Sequence, residues 1–131
     1  GDYAMLAGYP GITYRHRMAS EFRQQIQWQL PWRVAFVGGV IDAIRAGKPD
    51  AHILLAKIIP AAPDPSGTAA LNRLIDGVAS GRSSATSPIA VVNQASGYST
   101  GDNYDGVHPG AGGEAKLGNR WADAVLAWRT Q

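Results

Sequence analysis

The sequence predicts a single α/β domain, a three-layer α/β/α sandwich in which helices cover both faces of a short, mainly parallel sheet. Three observations lead there. "AHILLAKIIP" (51–60) and "PIAVVNQ" (88–94) are short, near-continuous apolar runs, the pattern of strands covered on both faces. The stretches that separate and follow them carry apolar residues at helical spacing. Strands alternating with helices argue for parallel strands joined by helical crossovers.

Taken in order, Met18, Phe22, Ile26 and Leu30 recur every four residues and predict an amphipathic helix over 13–30, ended by Pro31. "WRVAFVGG" (32–39) is short, rich in β-branched and aromatic residues and closed by glycines, so it reads as a strand. "VIDAIRAG" follows as a short helix ending at Gly47, and 51–60 is the next strand. After the loop "AAPDPSG", Leu71, Leu74, Ile75 and Val78 mark a helix over 68–80. The strand at 88–94 leads into a loop over 95–112 and a final helix over 113–128. Three strands are few for a doubly wound sheet, so the sheet is expected to be short.

Composition narrows the function classes. Of 131 residues, 45% are hydrophobic and 17% charged, the balance of a folded chain with a core. A formal charge of +2, from 12 Lys plus Arg against 10 Asp plus Glu, is too small a field for nucleic-acid binding. The absence of Cys excludes disulfides, thiolate zinc sites and a cysteine nucleophile. No apolar run reaches the roughly 18 residues that span a bilayer, so no membrane partner is expected. The start "GDYAMLAGYPG", without an initiator Met, suggests a trimmed or incomplete beginning.

The segment most suggestive of chemistry is "DNYDGVHPGAGGEAKLGNRWADAVLAW" (102–128). In its D-x-x-H, the Asp105 carboxylate could accept the Nδ1 hydrogen of His108 and leave Nε2 as a general base, the base and orienter of a Ser-His-Asp triad. The competing reading makes Asp105 a turn cap and His108 a loop residue. The four-residue pattern does not choose between them.

The longer string does. "YDGVHPGAGGEAKLGNRWADAV" resembles the last conserved block of the SGNH, or GDSL-type, hydrolases, which runs D-G-x-H-P and then through Gly and Lys to a Trp-bearing terminal helix. Gly106, Pro109, Gly113, Lys116 and Trp121 stand where that block has them. "LIDGVASGRSSATSPIAVVNQASGY" and "IDAIRAGKPDAHILLAKIIP" are similar to the preceding helices and strands of the family, so the resemblance runs from Asp42 to Trp128. Within the family it is nearest to secreted carbohydrate esterases that remove acetyl groups from xylan and related polysaccharides. The resemblance implies a flavodoxin-like fold, acetyl or short-acyl ester hydrolysis without a cofactor, a small-molecule or carbohydrate ester substrate, and Asp105 and His108 as orienter and base.

Other family blocks are not found. The family's nucleophile is the Ser of an N-terminal G-D-S just after the first strand, and the resemblance sets Tyr3 of Gly1-Asp2-Tyr3 in its place. A phenol with a pKa of about 10 is a poor substitute for an activated serine. Both oxyanion donors, one in a G-x-N-D block, are absent, and a deletion that removes them together with a strand is expected between Gly39 and Val40. Ser96, Ser99 and Thr100, on the His108 loop, are the candidate replacement hydroxyls. The alternative is a non-catalytic remnant serving as a binding or interaction protein, with a homo-oligomer covering the surface that the missing strand exposes.

The remaining signals read as structural. His16, His52 and His108 show no metal-ligand spacing, so no metal is expected. Arg15, Arg17 and Arg23 form a solvated helix face without the aromatic platform of a nucleic-acid site. "GDNYDG" fails as a calcium loop at its first and twelfth positions, and "GAGGEAK" lacks the Gly-Lys-Ser/Thr of a phosphate loop. Trp121 and Trp128, seven apart on the last helix, are expected to pack into the core.

Overall fold

The computed structural model describes residues 3–6 and 30–129. The predicted helix over 13–30 up to Leu30, with His16 and the Arg15, Arg17 and Arg23 cluster, lies outside the described residues. The chain forms an α/β fold on a short three-stranded sheet of order β1 (Tyr3–Leu6), β2 (His52–Ala56) and β3 (Ile89–Val92), with both pairings parallel. Helices α1 (Leu30–Gly47), α2 (Pro65–Arg82) and α3 (Ala111–Arg129) surround it.

The strand expected at 32–39 is instead the first half of α1, which runs unbroken from Leu30 to Gly47. Val34, Val37, Ile41 and Ile44 fall three and four apart, a helical stripe that the eight-residue window cut in two. Burying that stripe outweighs the propensity cost of Gly38 and Gly39, about 1 kcal/mol each. Pro31 does not end a helix. Among the described residues it is the second residue of α1. The junction expected between Gly39 and Val40 falls in the middle of α1.

β2 takes β1 as its neighbour in place of the 32–39 segment, in the register Tyr3↔His52 through Leu6↔Leu55. Both faces of β2 are covered. Ile53 and Leu55 join Ile41, Ile75, Val78, Ala79 and Ile89 in one cluster beneath α1 and α2. Leu54, Ala56 and Val92 meet Trp121, Ala124, Val125 and Trp128 of α3 in another. The near-continuous apolar run of β2 is thus explained by helices on its two faces, and the two tryptophans pack against the sheet as their spacing predicts. Exposed His52 lies against the Trp128 ring, centroids 4.9 Å apart.

Two polar ties close the frame. Arg45 of α1 donates to Ser87 Oγ at 2.8 Å and to its carbonyl at 2.7 Å, while Ser87 Oγ donates to the Ala51 carbonyl at 2.6 Å. Asp64 caps α2, accepting the Gly67 N–H at 2.8 Å, with Pro65 in the first turn. Among the described residues no helix is long and apolar enough to cross a membrane.

Candidate functional site

Because β2 and β3 are parallel, the segments after Ala56 and after Val92 leave the sheet at the same end, the end at which such sheets place their sites. These two segments are bound to each other. The Asn103 side chain donates to the Pro60 carbonyl at 3.1 Å, and the Ala62 N–H donates to the Gly106 carbonyl at 2.8 Å. Asn72 of α2 fixes the first segment further, its amide accepting the Ile58 N–H and donating to the Ile58 carbonyl, both at 2.9 Å. Buried Tyr98 donates its hydroxyl to Asn103 Oδ1 at 2.7 Å. Burial, with Asp102 and Glu114 nearby, pushes that phenol's pKa up, so Tyr98 stays a neutral donor.

α3 holds the second segment from the other side. Lys116 pairs with Asp102 at 2.7 Å and donates to the Gly97 carbonyl at 3.3 Å. Arg120 donates to the carbonyls of Gln94 and Ser96. The Lys116 hydrogen bond, followed by the Ser99 N–H, holds the Asp102 carboxyl below its ordinary pKa. Gly113 packs so closely that a Cβ there would stand 2.5 Å from the Tyr98 hydroxyl and 2.7 Å from the Asp102 carbonyl.

Asp105 and His108 occupy the tip of this loop. An antiparallel bridge between Asn103 and Pro109, with the Tyr104 N–H donating to the His108 carbonyl at 3.0 Å, makes 103–109 a miniature hairpin. Asp105 Oδ1 accepts the N–H groups of Val107 at 3.0 Å and His108 at 2.7 Å. Gly106, at φ 84°, supplies the left-handed turn between them. Asp105 Oδ2 lies 2.7 Å from His108 Nδ1. Deprotonated, the carboxylate accepts from Nδ1–H, which leaves the Nε2 lone pair free for a proton.

The same contacts hold the Asp105 pKa down at about 2, the His108 N–H first, then the His108 ring and the Val107 N–H. The two readings of D-x-x-H are therefore not exclusive: one oxygen of Asp105 shapes the turn and the other orients the imidazole. The pair is exposed at its edge, with about 40% of the His108 side chain open to solvent.

Other positions from the sequence lie elsewhere. Tyr3 is not just beyond a strand but opens β1 opposite His52, at the amino edge of the sheet. His108 follows the carboxyl end of β3, so a strand's length of about 10 Å separates Tyr3 from the site end. Ser99 Oγ donates to Asp102 Oδ2 at 3.3 Å, Ser96 lends its carbonyl to Arg120, and Thr100 opens a 3-10 turn (Thr100–Asp102). Among the described residues no hydroxyl is hydrogen-bonded to His108 Nε2. No group of three His, Asp or Glu among them could hold a metal ion.

Sequence reasoning missed Asn72, Asn103 and Tyr104. Asn103 and Tyr104 stand beside Asp105 in "DNYDG" and could have been flagged by proximity. Asn72 lies 14 residues from its partner Ile58 and leaves no local signal.

Comparison with known proteins gives two results. The family model for Peptidase S46 matches residues 1–56, under half of the chain. Over 72% of its length the chain superposes, with a TM-score of 0.68 and 22% identity, on a carbohydrate esterase family 3 protein from Talaromyces cellulolyticus. It superposes equally on an acetyl esterase mutant crystallised with an acetate ion, again at TM-score 0.68 and 22% identity over 72% of the chain. At that identity the likeness is one of fold, and the chain spans 47% of each of those proteins.

Proposed function

We propose that this chain carries the base half of an SGNH-type ester hydrolase site, acting on acetyl or short-acyl esters of a small alcohol or a carbohydrate. The observation that carries the reading is the 2.7 Å contact between Asp105 Oδ2 and His108 Nδ1 beyond the carboxyl end of β3. The esterase-like fold and the helices packed on both faces of β2 support it.

In this reading His108 Nε2 takes the proton from a hydroxyl as its oxygen attacks the ester carbonyl. It then delivers that proton to the departing alkoxide, and water completes the cycle by releasing the acid. Asp105 stays ionised throughout, holding the tautomer and stabilising the imidazolium. A serine nucleophile is part of the proposal and none is assigned. The proximity of Ser96, Ser99 and Thr100 to His108 in the chain makes them the hydroxyls to test.

The test is hydrolysis of 4-nitrophenyl acetate and of acetylated xylotriose by the parent and by His108→Ala. Labelling with a fluorophosphonate, mapped by mass spectrometry, follows. The reading expects a parent rate above buffer that falls to the buffer rate in His108→Ala. A parent no faster than buffer on both esters, with no labelled hydroxyl, would overturn it.

A further inference from the structure

Beside the Asp105–His108 pair stands an exposed aromatic residue, Tyr104. Tyr104 is 74% exposed, yet its ring stacks on the His108 imidazole, with centroids 5.9 Å apart and planes 23° from parallel. The register of the loop dictates this. With Asn103 bridged to Pro109 and the Tyr104 N–H donating to the His108 carbonyl, Tyr104 and His108 are directly opposite each other across the miniature hairpin. Opposed residues of an antiparallel pair project to the same side, with their Cβ atoms about 5 Å apart.

An aromatic ring left that exposed gains little from burial, and among the described residues the Tyr104 hydroxyl makes no hydrogen bond. Its one aromatic ring contact among the described residues is the imidazole. His108, for its part, has a hydrogen bond at Nδ1 but remains partly open to solvent. A single hydrogen bond at one ring atom fixes the tautomer but leaves the imidazole free to tilt about that contact. A flat surface along one ring face removes that freedom.

We propose that Tyr104 is a positioning residue for His108, its ring holding the imidazole plane so that Nε2 keeps one direction. The proposal rests on the ester-hydrolase reading and adds a third member to the pair. The phenolic oxygen has no part in it, so the aromatic face is what matters and Phe can supply it.

The experiment compares the parent with Tyr104→Ala and Tyr104→Phe. Proton NMR reads the His108 Hδ2 and Hε1 shifts, thermal unfolding reads stability, and 4-nitrophenyl acetate hydrolysis reads kcat and KM. In Tyr104→Ala the His108 protons lose their ring-current displacement and kcat falls by about ten- to a hundredfold with KM unchanged, as expected when a reacting group loses its alignment. Tyr104→Phe restores most of both. Equal losses in the Ala and Phe variants, a loss carried by KM, or His108 shifts identical in parent and Tyr104→Ala would each overturn the role of Tyr104. So would an active parent whose Tyr104→Ala keeps full kcat, which would leave the ester-hydrolase reading intact. A parent that hydrolyses no ester overturns that reading, and the role of Tyr104 with it.

Discussion

The Asp105 carboxylate holds His108 twice: Oδ1 accepts the His108 backbone N–H at 2.7 Å, and Oδ2 meets its ring Nδ1 at 2.7 Å. Backbone and imidazole are thus referenced to one rigid group, which is how an exposed loop can present a base in a defined orientation. The loop beneath is in turn bound to the β2 segment through Asn103 and Gly106 and to α3 through Lys116 and Arg120.

Asp105 should titrate well below ordinary carboxylates. Its pKa in the fold is about 2, whereas an unfolded chain presents an Asp at about 3.9. A depressed pKa means that the stability it contributes is fully present above the unfolded value and is lost as pH falls from about 4 through about 2. Carbon-detected NMR of the side-chain carboxyl should give a midpoint near the lower value. In His108→Ala it should rise only part of the way, since the two backbone N–H donors remain. A midpoint at the ordinary Asp value in the parent would show that these contacts do not persist in solution.

Asp105→Asn separates the two roles of this side chain. The amide oxygen can still accept from the Val107 and His108 N–H groups and keep the turn. Its NH2 then faces Nδ1 as a donor and demands the other tautomer, which blocks Nε2 as a base. Ester hydrolysis should fall by about 10⁴, the scale of the comparable change in a Ser-His-Asp enzyme, with the fold kept and only a modest drop in melting temperature from the lost carboxylate charge. Steady-state kinetics beside a thermal melt measures both, and a fully active Asn variant would remove the orienting role.

Two neighbouring glycines at the start of α3 should respond oppositely to Ala. At Gly112 nothing among the described residues stands within 4 Å of an added Cβ, so Gly112→Ala should stabilise by up to about 1 kcal/mol through helix propensity. At Gly113 the added methyl meets the Tyr98 hydroxyl and the Asp102 carbonyl, so Gly113→Ala should destabilise by about 1–3 kcal/mol. It should also shift the NMR signals of the Asp105–His108 loop. Chemical denaturation of both variants tests the contrast, and equal effects at the two positions would mean that α3 does not pack against Tyr98 as described.

By itself the sequence determined that this is an α/β chain. β2, β3, α2 and α3 are legible because each completes its own apolar period within a short window, and Asp105 and His108 are legible because they stand three positions apart in one turn. What only the tertiary structure decided is whatever depends on partners distant in the chain. Residues 32–39 look like a strand in isolation and become helix because Val34, Val37, Ile41 and Ile44 share one buried stripe against α2 and the sheet. Tyr3 stands in the nucleophile position by resemblance and instead opens β1, at the far end of the sheet from His108. The stacking of Tyr104 on His108 required the hairpin register, and the binding of Asn103 to Pro60 required two loops to leave the sheet at the same end. Local periodicity is written along the chain, whereas burial, register and the convergence of loops exist only once parallel strands have paired.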